Sequence, residues 1–166
     1  MDDKSPSTYD ADFLVWSEQQ AQALRELAKN RALLPNALDL EHLIEEVEDL
    51  GRSEFHAVES YLVNIMTHLV KSACEPDSQA AAHWFDETLT FQNSMLRKHT
   101  PSMRARLDMQ GLWDEARKIA LRSLVRHGVT PKFEPPSKCP FVVEDFLTHD
   151  FDPTDRKSTC LNSSHT

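Results

Sequence analysis

The chain has 166 residues, 40% of them hydrophobic and 27% charged, with a net charge of −9. That is enough sequence for one sizeable core, while a mean hydropathy of −0.52 and apolar runs interrupted by charge well short of about 18 residues exclude a membrane-spanning helix. Three glycines exclude phosphate-cradling loops of the GxGxxG or Walker type, and the negative charge argues against a general nucleic-acid coat.

Residues 1–8 are polar and contain Ser-Pro-Ser, a flexible N-terminus with no secretory or transit signal. Asp10 or Asp12 is placed to cap a first helix reaching about residue 33, in which Phe13, Trp16, Gln20, Leu24 and Leu27 recur at spacings of three and four. Leu34-Pro35-Asn36 breaks it. Asp39 is the expected N-cap of a second helix. Its apolar positions Leu40, Leu43, Ile44, Val47, Leu50, Val58, Leu62, Ile65, Met66, Leu69 and Val70 fall within roughly a third of a turn at about 100° per residue. This predicts a helix of about 33 residues, roughly 50 Å long, stopped by Glu75-Pro76-Asp77.

A third helix is expected over 78–99, carrying Trp84, Phe85, Leu89, Met95 and Leu96. Thr100-Pro101-Ser102 opens a fourth, running to about His127 with Ala105, Met109, Leu112, Trp113, Ala116, Ile119, Ala120 and Leu124 on its apolar face. Gly111 is placed to bend it and Gly128 to end it. Pro131, Pro135, Pro136 and Pro140 form a stiff connection before a short helix, Phe141–Leu147, that docks Phe141, Phe146 and Leu147. Asp155–Thr166 is polar and lies beyond the periodic pattern. It reads as a disordered tail resembling a translated adaptor-like string, so no function is argued from Cys160 or His165.

The expected fold is all-α: an antiparallel, up-and-down, four-helix-type bundle with a long second helix and a Pro-rich C-terminal appendage ending in a short helix. The expected organisation is a single helical domain over 9–153, with the bundle at 9–127 and the appendage at 128–153, and a disordered, non-native tail over 154–166. Trp16, Trp84 and Trp113 are expected in the core.

Charge is segregated. Asp39 to Glu54 holds seven acidic residues and one Arg, whereas Arg97 to Arg126 holds eight basic and three acidic residues. The second helix therefore starts acidic and the fourth is basic. The plain reading is that the two neighbour one another inside the bundle; the alternative is that one of these faces binds an external partner.

The acidic segment is also the densest in polar side chains. His42-x-x-Glu45 reverses the Glu-x-x-His order of di-metal bundles, occurs once and points away from the apolar stripe, so no metal or cofactor site is expected. Glu48 and Arg52 stand at the spacing of a helical ion pair. Glu54 projects into the apolar stripe one turn after Gly51 and needs a partner there, either an Arg or a Trp N–H from another helix. His68 sits at the flank of the stripe, within reach of Trp84 or Tyr61. The three widely spaced cysteines, Cys74, Cys139 and Cys160, form no disulfide framework or CxxC clip. No nucleophile elbow or catalytic residue can be assigned.

Tyr9-x-x-Asp12-Phe13-x-x-Trp16-x-x-x-Gln20-Ala21-x-x-Leu24-Arg25, the block Leu43-Ile44-Glu45-Glu46-Val47-Glu48-Asp49-Leu50-Gly51-Arg52-Ser53-Glu54 and His68-Leu69-Val70-Lys71 resemble the bacterial domain-of-unknown-function 29 family over about 9–153. Trp84, Pro101-Ser102, Cys139-Pro140 and Phe151-x-Pro153 continue the match. The resemblance implies a small, mainly helical protein of unassigned role and marks Glu46, Glu48, Gly51, Arg52, Ser53, Glu54, His68 and Trp84 for inspection. Gln92-Asn93 departs from it where the family is expected to carry an Arg, which removes an ion pair to the acidic segment.

The function expected from these features is a non-enzymatic, cytosolic protein-interaction module with a protein partner or a homo-oligomeric state, and without nucleic acid or membrane. The alternative is an enzyme with a carboxylate/arginine site around Glu54 and Arg52. A weaker alternative is a nucleic-acid-related or toxin–antitoxin component using the basic helix.

Overall fold

The computed structural model describes residues 7–30, 32 and 34–154; Cys160, His165 and the rest of the expected tail from 155 onward lie outside them. The described residues form an all-helical bundle without a strand. Its helices are α1 (Thr8–Ala11), α2 (Phe13–Ala28), α3 (Leu40–Cys74), α4 (Ala81–Lys98), α5 (Pro101–Arg104) and α6 (Met109–Arg126), followed by a 3-10 turn at Val143–Phe146. The long helix of the sequence pattern is α3, with 35 residues. The chain divides into two compact units, one of residues 1–57 and 98–106 and the other of residues 58–97 and 107–166.

The first unit is organised around Asp12. Its carboxylate caps α2 by accepting from the Val15 amide (3.2 Å) and also accepts from the Ser102 amide and hydroxyl (both 2.8 Å). α2 ends at Ala28, short of the expected residue 33. It buries Leu14, Ser17 and Ala21, and Gly51 of α3 is buried against Leu14 and Ser17. Trp16 is half-buried rather than in the core. It stacks on Phe13 (5.4 Å between centroids) and meets Tyr9 edge-on (4.8 Å).

The first half of α3 corrects the expected single core stripe. Leu40 and Gly51 are buried, yet Leu43 and Leu50 are 41% and 53% exposed. The reason is angular: Leu43 and Leu50 lie roughly 60–100° around the helix from Leu40 and Gly51. Packing centred on Gly51 therefore covers one edge of the stripe and leaves the other open.

In the second unit α3 is buried on several sides, through Val58, Leu62, Ile65, Met66, Leu69 and Val70. Trp84 and Trp113 are core residues, as expected. The predicted fourth helix is interrupted. α5 ends at Arg104, and Asp108 caps a new helix by accepting from the Gly111 amide at 3.0 Å. Gly111 therefore lies in the first turn of α6 and is not a bend, and Ala105 and Ile119 are exposed. Gly128, at φ 75°, ends α6 while the Val129 amide returns to the Leu124 carbonyl (3.0 Å).

The appendage is laid down by polar side chains acting on backbone. Trp113 Nε1 donates to the Pro136 carbonyl (2.9 Å) and Arg117 to the Pro135 carbonyl (3.1 Å). Gln110 bonds both the Ser137 carbonyl and the Cys139 amide (each 2.9 Å). Buried Gln92 donates to the carbonyls of Phe146 (3.1 Å) and Thr148 (2.7 Å). The expected helix at 141–147 is a single 3-10 turn. Phe141, Phe146 and Phe151 form its apolar contacts, with centroids 5.3 and 5.6 Å apart, while Leu147 is only half-buried.

Candidate functional site

The candidate polar residues separate into two groups. Glu46, Glu48, Arg52, Ser53 and Glu54 belong to the first unit, His68 and Trp84 to the second. Asp39 caps α3, accepting from the His42 amide (3.3 Å) and lying 2.6 Å from His42 Nδ1. That hydrogen bond raises the exposed His42 above its ordinary value. His42 and Glu45 are both exposed, as their angles predict. Among the described residues no group of three or more His, Cys, Asp or Glu is arranged to hold a metal ion.

Glu46 and Ser53 are exposed. Glu54 is half-buried and held by Lys98 Nζ through both oxygens, at 2.7 and 2.8 Å. The partner is thus a Lys from the last turn of α4 rather than the expected Arg or Trp. The expected Glu48–Arg52 pair is replaced by two others: Arg25 of α2 reaches Glu48 (2.6 Å), and Arg52 turns back to Asp49 (3.1 Å). The exchange follows from α2 packing alongside, which brings a cation to the inner edge of α3 and leaves Arg52 on the solvent side.

Leu14, Glu18, Glu48, Arg52, Phe55 and Arg106 line a cleft of about 190 Å³ in this unit. Arg106 grips Glu18 through both nitrogens, the longer contact being 2.9 Å. The hydrogen bond from Arg106 holds the Glu18 carboxyl below its usual value, and the same bond raises Arg106. Each charged residue of the cleft is thus in an ion pair: Glu18 with Arg106, Glu48 with Arg25 and Arg52 with Asp49. Leu14 and Phe55 supply its apolar lining.

The outer side of α3 differs. Leu43 and Leu50, with half-buried Val47 between them, form an open apolar strip at spacings of four and three. The exposed acid Glu46 flanks it, about 40–60° around the helix from Leu50 and Leu43, while Glu45 lies on the opposite side of α3.

In the second unit His68 stacks on Phe91 (5.8 Å, 14° between planes), and its Nε2 lies 3.2 Å from Glu87. It is not bonded to Trp84 or Tyr61 as expected. Its Nδ1 is buried without a hydrogen-bond partner. Burial lowers the histidine's affinity for a proton, against the attraction of Glu87. His83 reaches the same Glu87 oxygen at 3.4 Å. Trp84 lies beneath Lys71, whose Nζ is 4.9 Å from the ring centroid. Burial pushes the Cys74 thiol up to about 11, which removes it as a nucleophile near neutral pH.

Lys118, Arg122 and Arg126 of the basic helix α6 are exposed, together with Ile119 (43%) and Val125 (67%). Lys98 and Arg106 were not singled out in the sequence, and Gln92 only as a departure from the family pattern, not as the donor to Phe146 and Thr148. Their roles depend on partners 44 to 88 residues away, a separation over which local periodicity carries no signal.

The model of the family described as "Domain of unknown function DUF29" matches residues 8–152. The chain belongs to the DUF29 family. It is also similar, at 35% identity and a TM-score of 0.86, to a solved structure from Rhodospirillum rubrum ATCC 11170, a crystal structure at 1.45 Å. The match covers 92% of this chain and 97% of that one, which is described as an α-helical protein of unknown function. No curated protein matches this DUF29 chain. Among its described residues no helix is long and apolar enough to cross a membrane.

Proposed function

We propose that this DUF29 protein is an interaction module that docks a basic amphipathic helix along the first half of α3. The observation that carries this reading is the open strip of Leu43, half-buried Val47 and Leu50 within a helix half that holds six acidic residues. Leucines at that spacing form the anchor pattern of helix recognition, and the acids around them select and steer a cation-rich partner. The cleft at Arg52 and Arg106 supports the rival ligand or enzyme reading less well, because its charged side chains are already in ion pairs. The exposed cations of α6 are interleaved with Ile119 and Val125, which suits a protein surface better than a phosphate track. We place the module in the bacterial cytosol, in keeping with its Rhodospirillum relative and with Cys74 and Cys139 as free thiols.

The test is titration with a synthetic amphipathic helix, leucines on one face and lysines on the other, followed by fluorescence anisotropy. Binding should weaken about tenfold on Leu43→Ser/Leu50→Ser and should fall with salt. Binding that ignores the two leucines would sink the reading.

A further inference from the structure

Charge and apolar exposure recur on α6 with the opposite sign. Its solvent side carries Lys118, Arg122 and Arg126, with Ile119 and Val125 exposed on either side of Arg122. Two acids of α6, Asp114 and Glu115, are exposed as well, Asp114 lying 3.6 Å from Arg117. The chain therefore bears an acidic face with an apolar strip, on residues 43–50 of α3, and a basic face with apolar residues, on 118–126 of α6.

Resting on the docking reading above, we propose that the occupant of the α3 face is the α6 face of a second copy of this chain. Like faces do not pair: two α3 faces would bring Glu46 and the acidic half of α3 against their own copies, and two α6 faces would do the same with Arg122 and Arg126. Only the α3-to-α6 contact satisfies both the charges and the exposed leucines, isoleucine and valine. The contact is heterologous, joining different surfaces of two identical chains. Each face is one helix wide, so the association is weak and transient, and it is strongly screened by salt.

The experiment is sedimentation equilibrium of the full chain at low and high salt, with two charge-reversed variants. Wild type should gain mass with concentration, and about 0.5 M salt should return it to the monomer. Glu46→Lys, which reverses the acid flanking the α3 strip, and Arg122→Glu/Arg126→Glu, which makes the α6 face acidic, should each be monomeric. Mixed in equal amounts they should associate again, since every contact between the two variants is once more between opposite charges. Circular dichroism checks that each variant is folded. Should either fail to fold, Leu50→Ser and Ile119→Ser replace them, each abolishing self-association alone.

A wild type that stays monomeric at all concentrations, or reversed variants that do not recover on mixing, overturns the second-copy assignment. If the synthetic basic helix still binds in a Leu50-dependent way, the docking reading survives that result. Loss of both results overturns both.

Discussion

Gly51 of α3 stands directly against Ser17 of α2: a Cβ at Gly51 would lie 1.9 Å from Ser17 Oγ and 3.0 Å from Ser17 Cβ. The hydroxyl can rotate away, although it would abandon its 2.8 Å bond to the Leu14 carbonyl. The Cβ of Ser17 is fixed to its backbone and cannot. Gly51→Ala gains about 0.5–1 kcal/mol of helix propensity and loses roughly 1–3 kcal/mol to overpacking, so a net loss of stability is expected. Ser17→Ala in that background should restore only part, which a thermal double-mutant cycle would read out.

Gln92 anchors the appendage through two backbone carbonyls. Gln92→Ala leaves both without this donor and should destabilise by about 2–3 kcal/mol. Gln92→Glu should do more harm, because a carboxylate then faces two carbonyl oxygens. Limited proteolysis beyond residue 128, alongside thermal unfolding, would show whether the loss begins in the appendage.

Asp12 joins the start of α2 to the start of α5. Burial raises its carboxyl, but hydrogen bonds from Ser102, Val15 and Thr100 outweigh that and hold it below the ordinary 3.8. A carboxylate lowered on folding stabilises above its unfolded value, and the benefit disappears as pH falls through the folded one. Asp12→Asn should therefore be less stable by about 1 kcal/mol near neutrality. Its gap to wild type should close in acid below pH 3.8. Denaturant melts across pH would decide.

His68 responds with the same sign, in a higher pH range. Burial lowers its folded value beneath 6.5, so the unfolded chain binds the proton more readily. Stability should fall as pH drops through about 6.5 and level off below the folded value. His68→Phe keeps the ring against Phe91 and removes the titrating group. The difference in melting temperature between wild type and variant should shift in its favour over that range; parallel curves would refute the assignment.

The residue pattern carried most of the fold. The extent of α3, the core positions of Trp84 and Trp113, and the caps at Asp12, Asp39 and Gly128 follow from interactions within a turn or two of helix. The break at 105–108 escaped because the apolar period continues across it and only the Asp108 cap interrupts the backbone. The candidate site was half legible. Glu54 needed a partner by virtue of its position on the stripe, but the partner proved to be Lys98, 44 residues on.

By itself, then, the sequence determined an all-helical chain with a long acidic helix and a basic one, because helical periodicity and charge content are local properties. Which edge of the α3 stripe is covered, and which cation meets Glu48 or Glu54, was decided only by tertiary packing. A helix presents its apolar stripe without specifying how wide its neighbour will be. The close approach at Gly51 fixed where α2 lies, and that left Leu43 and Leu50 open to solvent.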